Sequence, residues 1–206
     1  MAVASCTYRA TMIDDAGLDH EPLVEKLPLT VGIYYSEEFT SNIVRAEAGF
    51  AGDPPAFWDT YVFDVGECSV LLFDQVVSSM FQEVMHIDSP PGSGTRGLPV
   101  AGVFIPSFLS LDVTKGQPGF KQSKTVDINY EITLVERDGR PIDSWQVSGT
   151  GVKAHGPTFD RGAHASEAAR AAIRDALAEF LVRFDERDKT REHLLKVDYS
   201  AEEPRE

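Results

Sequence analysis

The 206-residue sequence predicts an α+β fold, a two-layer sandwich in which a mostly antiparallel sheet of about five strands carries two packed helices. Three observations predict it. Residues 126–134 alternate strictly, with Val126, Ile128, Tyr130, Ile132 and Leu134 on one face and Asp127, Asn129, Glu131 and Thr133 on the other. Two segments carry apolar residues at three- and four-residue spacing, the stripe of a helix packed on a sheet. Asp138-Gly139 then joins the alternating strand to a partner as a hairpin turn of the primed type.

The elements follow in order. Residues 27–36 (LPLTVGIYYS) read as a strand buried on both faces. Residues 37–55, broken by Gly49, Gly52 and Asp53-Pro54-Pro55, read as a loop or short helix, and 57–65 as a second strand. After Gly66 a helix is expected from about Glu67, burying Val70, Phe73, Val76, Val77, Met80, Phe81 and Val84. It should end at His86, before Asp88-Ser89-Pro90-Pro91-Gly92, with a flexible surface loop over 89–97. Residues 100–113 form a long strand, and Pro106 within it argues for an edge position or a bulge. A turn over 114–119 leads into the alternating strand, whose partner at 141–153 carries Trp145 and Val147 on its buried face. A loop over 154–165 precedes a helix capped by Ser166, with Ala169, Ile173, Ala176, Leu177, Phe180 and Phe184 as its apolar stripe. Residues 1–26 read as an anchor remnant and flexible tether, 27–185 as a single domain, and 186–206 as a charged tail.

Composition narrows the function. A 42% hydrophobic, 25% charged chain is in the globular range, and a formal net charge of −14 repels phosphate backbones, so no nucleic-acid partner is expected. The same charge repels anionic headgroups, so membrane attachment should come through a lipid anchor only. Cys68 lies in the apolar helix and reads as a buried, inert thiol.

Candidate chemistry is sparse. His155, Asp160 and His164 could ligate zinc, but their spacing matches no metal motif and a solvated loop is the better reading. His86 is read as complementing a helix dipole. Ser148-Gly149-Thr150-Gly151 precedes a loop rather than a helix, so it is no phosphate cradle, and a β-bulge or close backbone packing explains its glycines better. Glu37-Glu38 and Asp14-Asp15 read as solvated charge, and Phe57-Trp58 as aromatics buried at a sheet edge. No nucleophile elbow occurs. The expectation is a non-enzyme with no catalytic residue, no metal and no cofactor.

The run Val3-Ala4-Ser5-Cys6 resembles the lipobox of bacterial lipoproteins, an aliphatic residue and two small residues before the acylated cysteine. The resemblance implies a lipid anchor at Cys6. Thr7, which replaces the aspartate of inner-membrane retention, implies the outer membrane. Only five residues precede Cys6, and a full signal carries a basic segment and an apolar stretch of about 7–15 residues, so its remainder is expected upstream. The opening strand LTVGIYYS, the helix end SSMFQEV, the hairpin INYEITLVERDGRPIDSW and the closing helix AARAAIRDALAEF resemble small proteobacterial envelope lipoproteins of α/β-sandwich form, the LPS-assembly lipoprotein among them. This implies a periplasmic accessory of an envelope complex or transport system, with an outer-membrane protein complex as partner. The alternative is a carrier holding an apolar ligand such as a lipid between helices and sheet. A cavity of several hundred Å³ would favour the carrier, and an exposed apolar patch on a solid core would favour docking.

Overall fold

The computed structural model describes residues 7–12, 25–50, 54, 58–92, 95, 97–116, 123–154 and 161–196. Among the described residues, eight strands and four helices run in the order β1 (Thr7–Ala10), β2 (Leu27–Ile33), α1 (Glu37–Thr40), β3 (Ile43–Ala48), β4 (Asp59–Asp64), α2 (Val65–Met80), β5 (Phe81–His86), β6 (Val103–Lys115), β7 (Ser123–Val135), β8 (Pro141–Ala154), α3 (Arg161–Asp185) and α4 (Asp188–Lys196). They form two sheets, β1-β4-β3 and β5-β2-β6-β7-β8.

The fold is α+β, but its sheets are mixed and not mostly antiparallel. β2 runs parallel to both β5 and β6, and β1 runs parallel to β4. Antiparallel pairing joins β3 to β4, β6 to β7 and β7 to β8. β6 runs in the same direction as β5 because the chain between them crosses the sheet over β2 before it re-enters. Ile87, Val100, Val103 and Val135 form a small second core beneath that crossing.

The alternating strand behaves as its period requires. Ile128, Tyr130 and Leu134 of β7 are buried beneath α2 and α3, while Asp127, Asn129 and Glu131 face the other way. The Tyr130 hydroxyl lies 2.7 Å from Ser69 of α2, and its ring meets Phe73 edge-on at 5.4 Å. Phe180 of α3 packs against Phe73, Phe104 and Trp145. Cys68 is buried, and burial pushes its thiol up to about 11.

Several expectations are corrected. The helix α2 stops at Met80 rather than His86, because Phe81 is already extended (φ −126°, ψ 154°) and opens β5 beside β2. His86 therefore closes a strand and caps no helix; its Nε2 lies 3.4 Å from Asp74. Residues 37–48, read as a loop or short helix, hold the short helix α1 and also a strand, β3. Thr7–Ala10, read as tether, pairs with β4, and Met12 is fully buried. The tether's residues 13–24 lie outside the described residues. Asp188–Lys196, read as tail, is helix α4. It is docked by Leu194, which is fully buried, and by Arg187 and Thr190, which hold Asp143 at 2.7 and 2.6 Å. The rest of the tail lies outside the described residues. Helix α3 begins at Arg161, so Ser166 is no cap; its hydroxyl donates to the Gly162 carbonyl one turn back.

The hairpin turn also differs. Gly139 N–H donates to the Glu136 carbonyl at 2.9 Å, and Gly139 itself sits at φ +89°. Arg137 and Asp138 therefore occupy the centre of a three-residue loop closed by a left-handed glycine, in place of a two-residue primed turn. Described residues of the expected flexible loop pack on this turn, where Thr95 is buried and its hydroxyl donates to the Arg137 carbonyl. Pro106 lies just beyond the last β2 pair, Ile33 with Phe104, where β6 no longer has a neighbour from β2.

Candidate binding groove and charged pocket

Helix α3 organises both candidate sites. Gly149 and Gly151 lie on the buried face of β8, and a Cβ on either would collide with the α3 backbone, at Ala172 and Ala176 or at Ala168 and Ala172. These glycines, with the alanines opposite, let helix and strand meet backbone to backbone, as close packing requires. The same helix covers the edge of β8. Asp175 accepts from the Thr150 N–H at 2.9 Å, Glu179 accepts from the Ser148 N–H, and Lys153 pairs with Glu167. An open strand edge is thus occupied by carboxylates of its own chain, which blocks pairing with another chain.

At the C-terminal end of α3 lies an open groove of about 500 Å³. Leu27 at the start of β2, Met80 at the end of α2, and Leu181, Val182 and Phe184 of α3 form its apolar wall. Glu25, Asp185, Glu186 and Arg191 form its rim. Arg191 pairs with Asp185 at 2.7 Å, so carboxylates outnumber cations there. Val182 is 58% exposed, whereas scattered single apolar residues such as Ile43 and Val152 lie elsewhere on the surface.

At the N-terminal end of α3 lies a small charged pocket of about 60 Å³. Asp59 of β4 is buried there and accepts from Lys115 of β6 at 2.7 Å and from Arg161 at 3.4 Å. Lys124 of β7, also buried, donates to the Arg161 carbonyl. Burial, with the Asp59 charge beside it, pushes the Tyr61 phenol well above its ordinary value.

A third group of polar residues joins Tyr35, Asp74 and His86. The Tyr35 hydroxyl donates to Asp74 at 2.7 Å, and burial pushes the phenol far up. A phenol held neutral is no nucleophile at ordinary pH, so this group serves to tie β2, α2 and β5 together.

The sequence-derived candidates are not brought together. His164 is buried within α3, while His155 and Asp160 lie outside the described residues. No group of three or more potential ligands surrounds a metal-sized space among the described residues. Cys6, Asp14, Asp15 and Phe57 lie outside them too. Trp58 is half-buried, and Glu37 and Glu38 are exposed in the first turn of α1. No helix among the described residues is long and apolar enough to cross a membrane. Sequence reasoning missed the groove and the pocket because each draws on segments far apart in the chain.

No family model matches this sequence, and no curated protein matches it. Among solved structures, protein XCC0632 of Xanthomonas campestris, of the family DUF330, is similar at 11% identity and TM-score 0.44, over 90% of this chain and 98% of that one. A minor lipoprotein of Acinetobacter baumannii is similar at 7% identity and TM-score 0.42, over 83% and 94%. A neuraminyllactose-binding hemagglutinin homolog of Helicobacter pylori is similar at 12% identity and TM-score 0.41, over 86% and 95%. These are distant likenesses of outline, and no functional residue passes from them to this chain.

Proposed function

We propose that this chain is a non-catalytic binding accessory of the bacterial envelope. It is anchored through acylated Cys6 on the periplasmic face of the outer membrane, and it receives an apolar segment of an envelope protein complex or transport system in the groove at the end of α3. The groove is the observation that carries this reading, because its apolar wall stands open to solvent at Val182. Its position supports a protein partner. Helix α3 starts beside β1, the strand that follows Cys6, and 25 residues at 1.5 Å each carry it roughly 37 Å further. The groove would then face away from the bilayer. Its carboxylate-rich rim suits a segment with a basic residue and repels an anionic headgroup.

The groove's volume supports a second reading, a carrier of an apolar ligand, since about 300–1,000 Å³ is the range of small-molecule sites. Crosslinking decides between them. A photoreactive residue at Val182 in intact cells should give a covalent adduct with an envelope protein, and one at Val152 should not. A lipid adduct at Val182 would favour the carrier, and equal labelling at both positions would remove the groove from function. Intact-mass spectrometry of the membrane fraction should show acyl chains on Cys6, and an unmodified Cys6 in a fully soluble native protein would refute the anchor.

A further inference from the structure

We propose that the charged pocket at the start of α3 binds a phosphate group. Lys115 and Arg161 converge on one oxygen, Asp59 Oδ2, at 2.7 and 3.4 Å, and the Tyr61 hydroxyl donates to the same oxygen at 3.4 Å. The Lys124 ammonium sits beneath them, 4.5 Å over the Tyr61 ring. Two cations thus share one carboxylate, and a third, Lys124, lines the same pocket, within a chain of net charge −14. A cluster of like charge in an oppositely charged chain is a local electrostatic site for an anion.

Size narrows the anion. The pocket's volume of about 60 Å³ is only about twice the ~30 Å³ share of one water in the liquid, which limits the anion to a small one such as a single phosphate group. The Arg161 guanidinium is about half exposed at the mouth and has the planar fork that matches phosphate oxygens. The partial positive charge at the start of α3 adds to the same field.

Position indicates the source. β1 begins at Thr7, opposite Thr60, the neighbour of Asp59, and the Tyr8 hydroxyl accepts from Arg161 at 3.3 Å. Thr7, the residue that follows Cys6 in the sequence, is therefore paired beside the wall of the pocket. With Cys6 acylated, the nearest phosphate is a phospholipid headgroup. This lipid source rests on the anchoring reading above, whereas the phosphate chemistry does not. The contact would seat the domain upright on its anchor despite the repulsion between its acidic surface and anionic lipids.

Two arms test the inference. The Cys6→Ser chain is titrated calorimetrically with sn-glycerol 3-phosphate. Saturable binding is expected, weakened about tenfold by Lys115→Gln or by the surface variant Arg161→Gln, and unchanged by Lys153→Gln. The anchored protein is then placed in vesicles of phosphatidylcholine or of phosphate-free galactolipid, and modification of Arg161 by phenylglyoxal is followed. Slower modification on phosphatidylcholine assigns the headgroup as ligand. Equal rates, with binding in the first arm, assign a soluble phosphate ester. No saturable binding, or equal binding by all three variants, overturns the site. The first arm needs no anchor, so failure of the pocket and failure of the anchoring reading are read separately.

Discussion

At its start, helix α3 meets Lys115, Lys124 and Asp59; at its end, its own Leu181, Val182 and Phe184 line a groove with Leu27 and Met80. The first surroundings are small, charged and adjacent to the strand that follows Cys6. The second are open, apolar and ringed by carboxylates. One helix thus separates a charged surface from an apolar one. In the proposed function this difference would give α3 a role beyond covering the sheet, that of a spacer between a docking groove and an anchor.

That role depends on α3 being seated firmly along its length. The groove end is the place to break it hardest. Phe180 lies within 6.4 Å, centroid to centroid, of Phe73, Phe104, Trp145 and Phe184. Phe180→Ala should cost about 3–5 kcal/mol, read as a lowered midpoint in urea unfolding. An unchanged midpoint would show that the helix does not rest on this core. The middle of the helix offers a subtler break. Gly151→Ala should cost about 1–3 kcal/mol, because the added methyl meets the Ala168 carbonyl and the Ala172 amide. Serine at neighbouring Thr150, whose side chain faces outward, should leave the melting temperature nearly unchanged.

The carboxylates along the β8 edge give the smallest effect and a defined sign. Partial burial alone would raise the Glu179 pKa, but the Ser148 N–H, the Arg183 guanidinium and the Ser148 hydroxyl together hold it below the ordinary value of 4.5. A depressed carboxylate stabilises the fold above its unfolded-state pKa, and the contribution disappears as pH falls through the lower folded-state value. Acid titrations of unfolding should therefore show a small loss of stability below about pH 4.5 that Glu179→Gln lacks. Identical acid profiles would mean that the clasp on Ser148 contributes nothing.

How much of this was legible in the sequence follows from how local each signal is. The strand β7 was legible because five buried residues alternate without a break, and the apolar stripes of α2 and α3 recur over several turns. The strand β5 was hidden because Met80, Phe81 and Val84 fit helical and extended spacing alike, with no glycine or proline between helix and strand. β1 has four residues and acquires its pairing from β4, some fifty positions away. β3 buries only Ala46 and Ala48, too little to mark a strand, and α4 hides one leucine in a run of charge. Both sites share this limit. Asp59, Lys115, Lys124 and Arg161 carry no motif, and only the topology assembles them. The Gly149 and Gly151 pair was a partial exception, since glycine chemistry pointed to a β-bulge or close backbone packing, and the contact with α3 is the latter.

The central claim is that the two ends of α3 stand at different heights above a membrane. Single fluorophores at exposed Ala163 and Val182, on protein recovered from membranes with its anchor and placed in vesicles carrying a headgroup-attached acceptor, measure those heights by energy transfer. The nineteen helical steps from one to the other span about 28 Å. The account predicts strong transfer from position 163 and weak transfer from position 182. Equal transfer from both positions, or stronger transfer from 182, would contradict it and would turn the groove toward the bilayer.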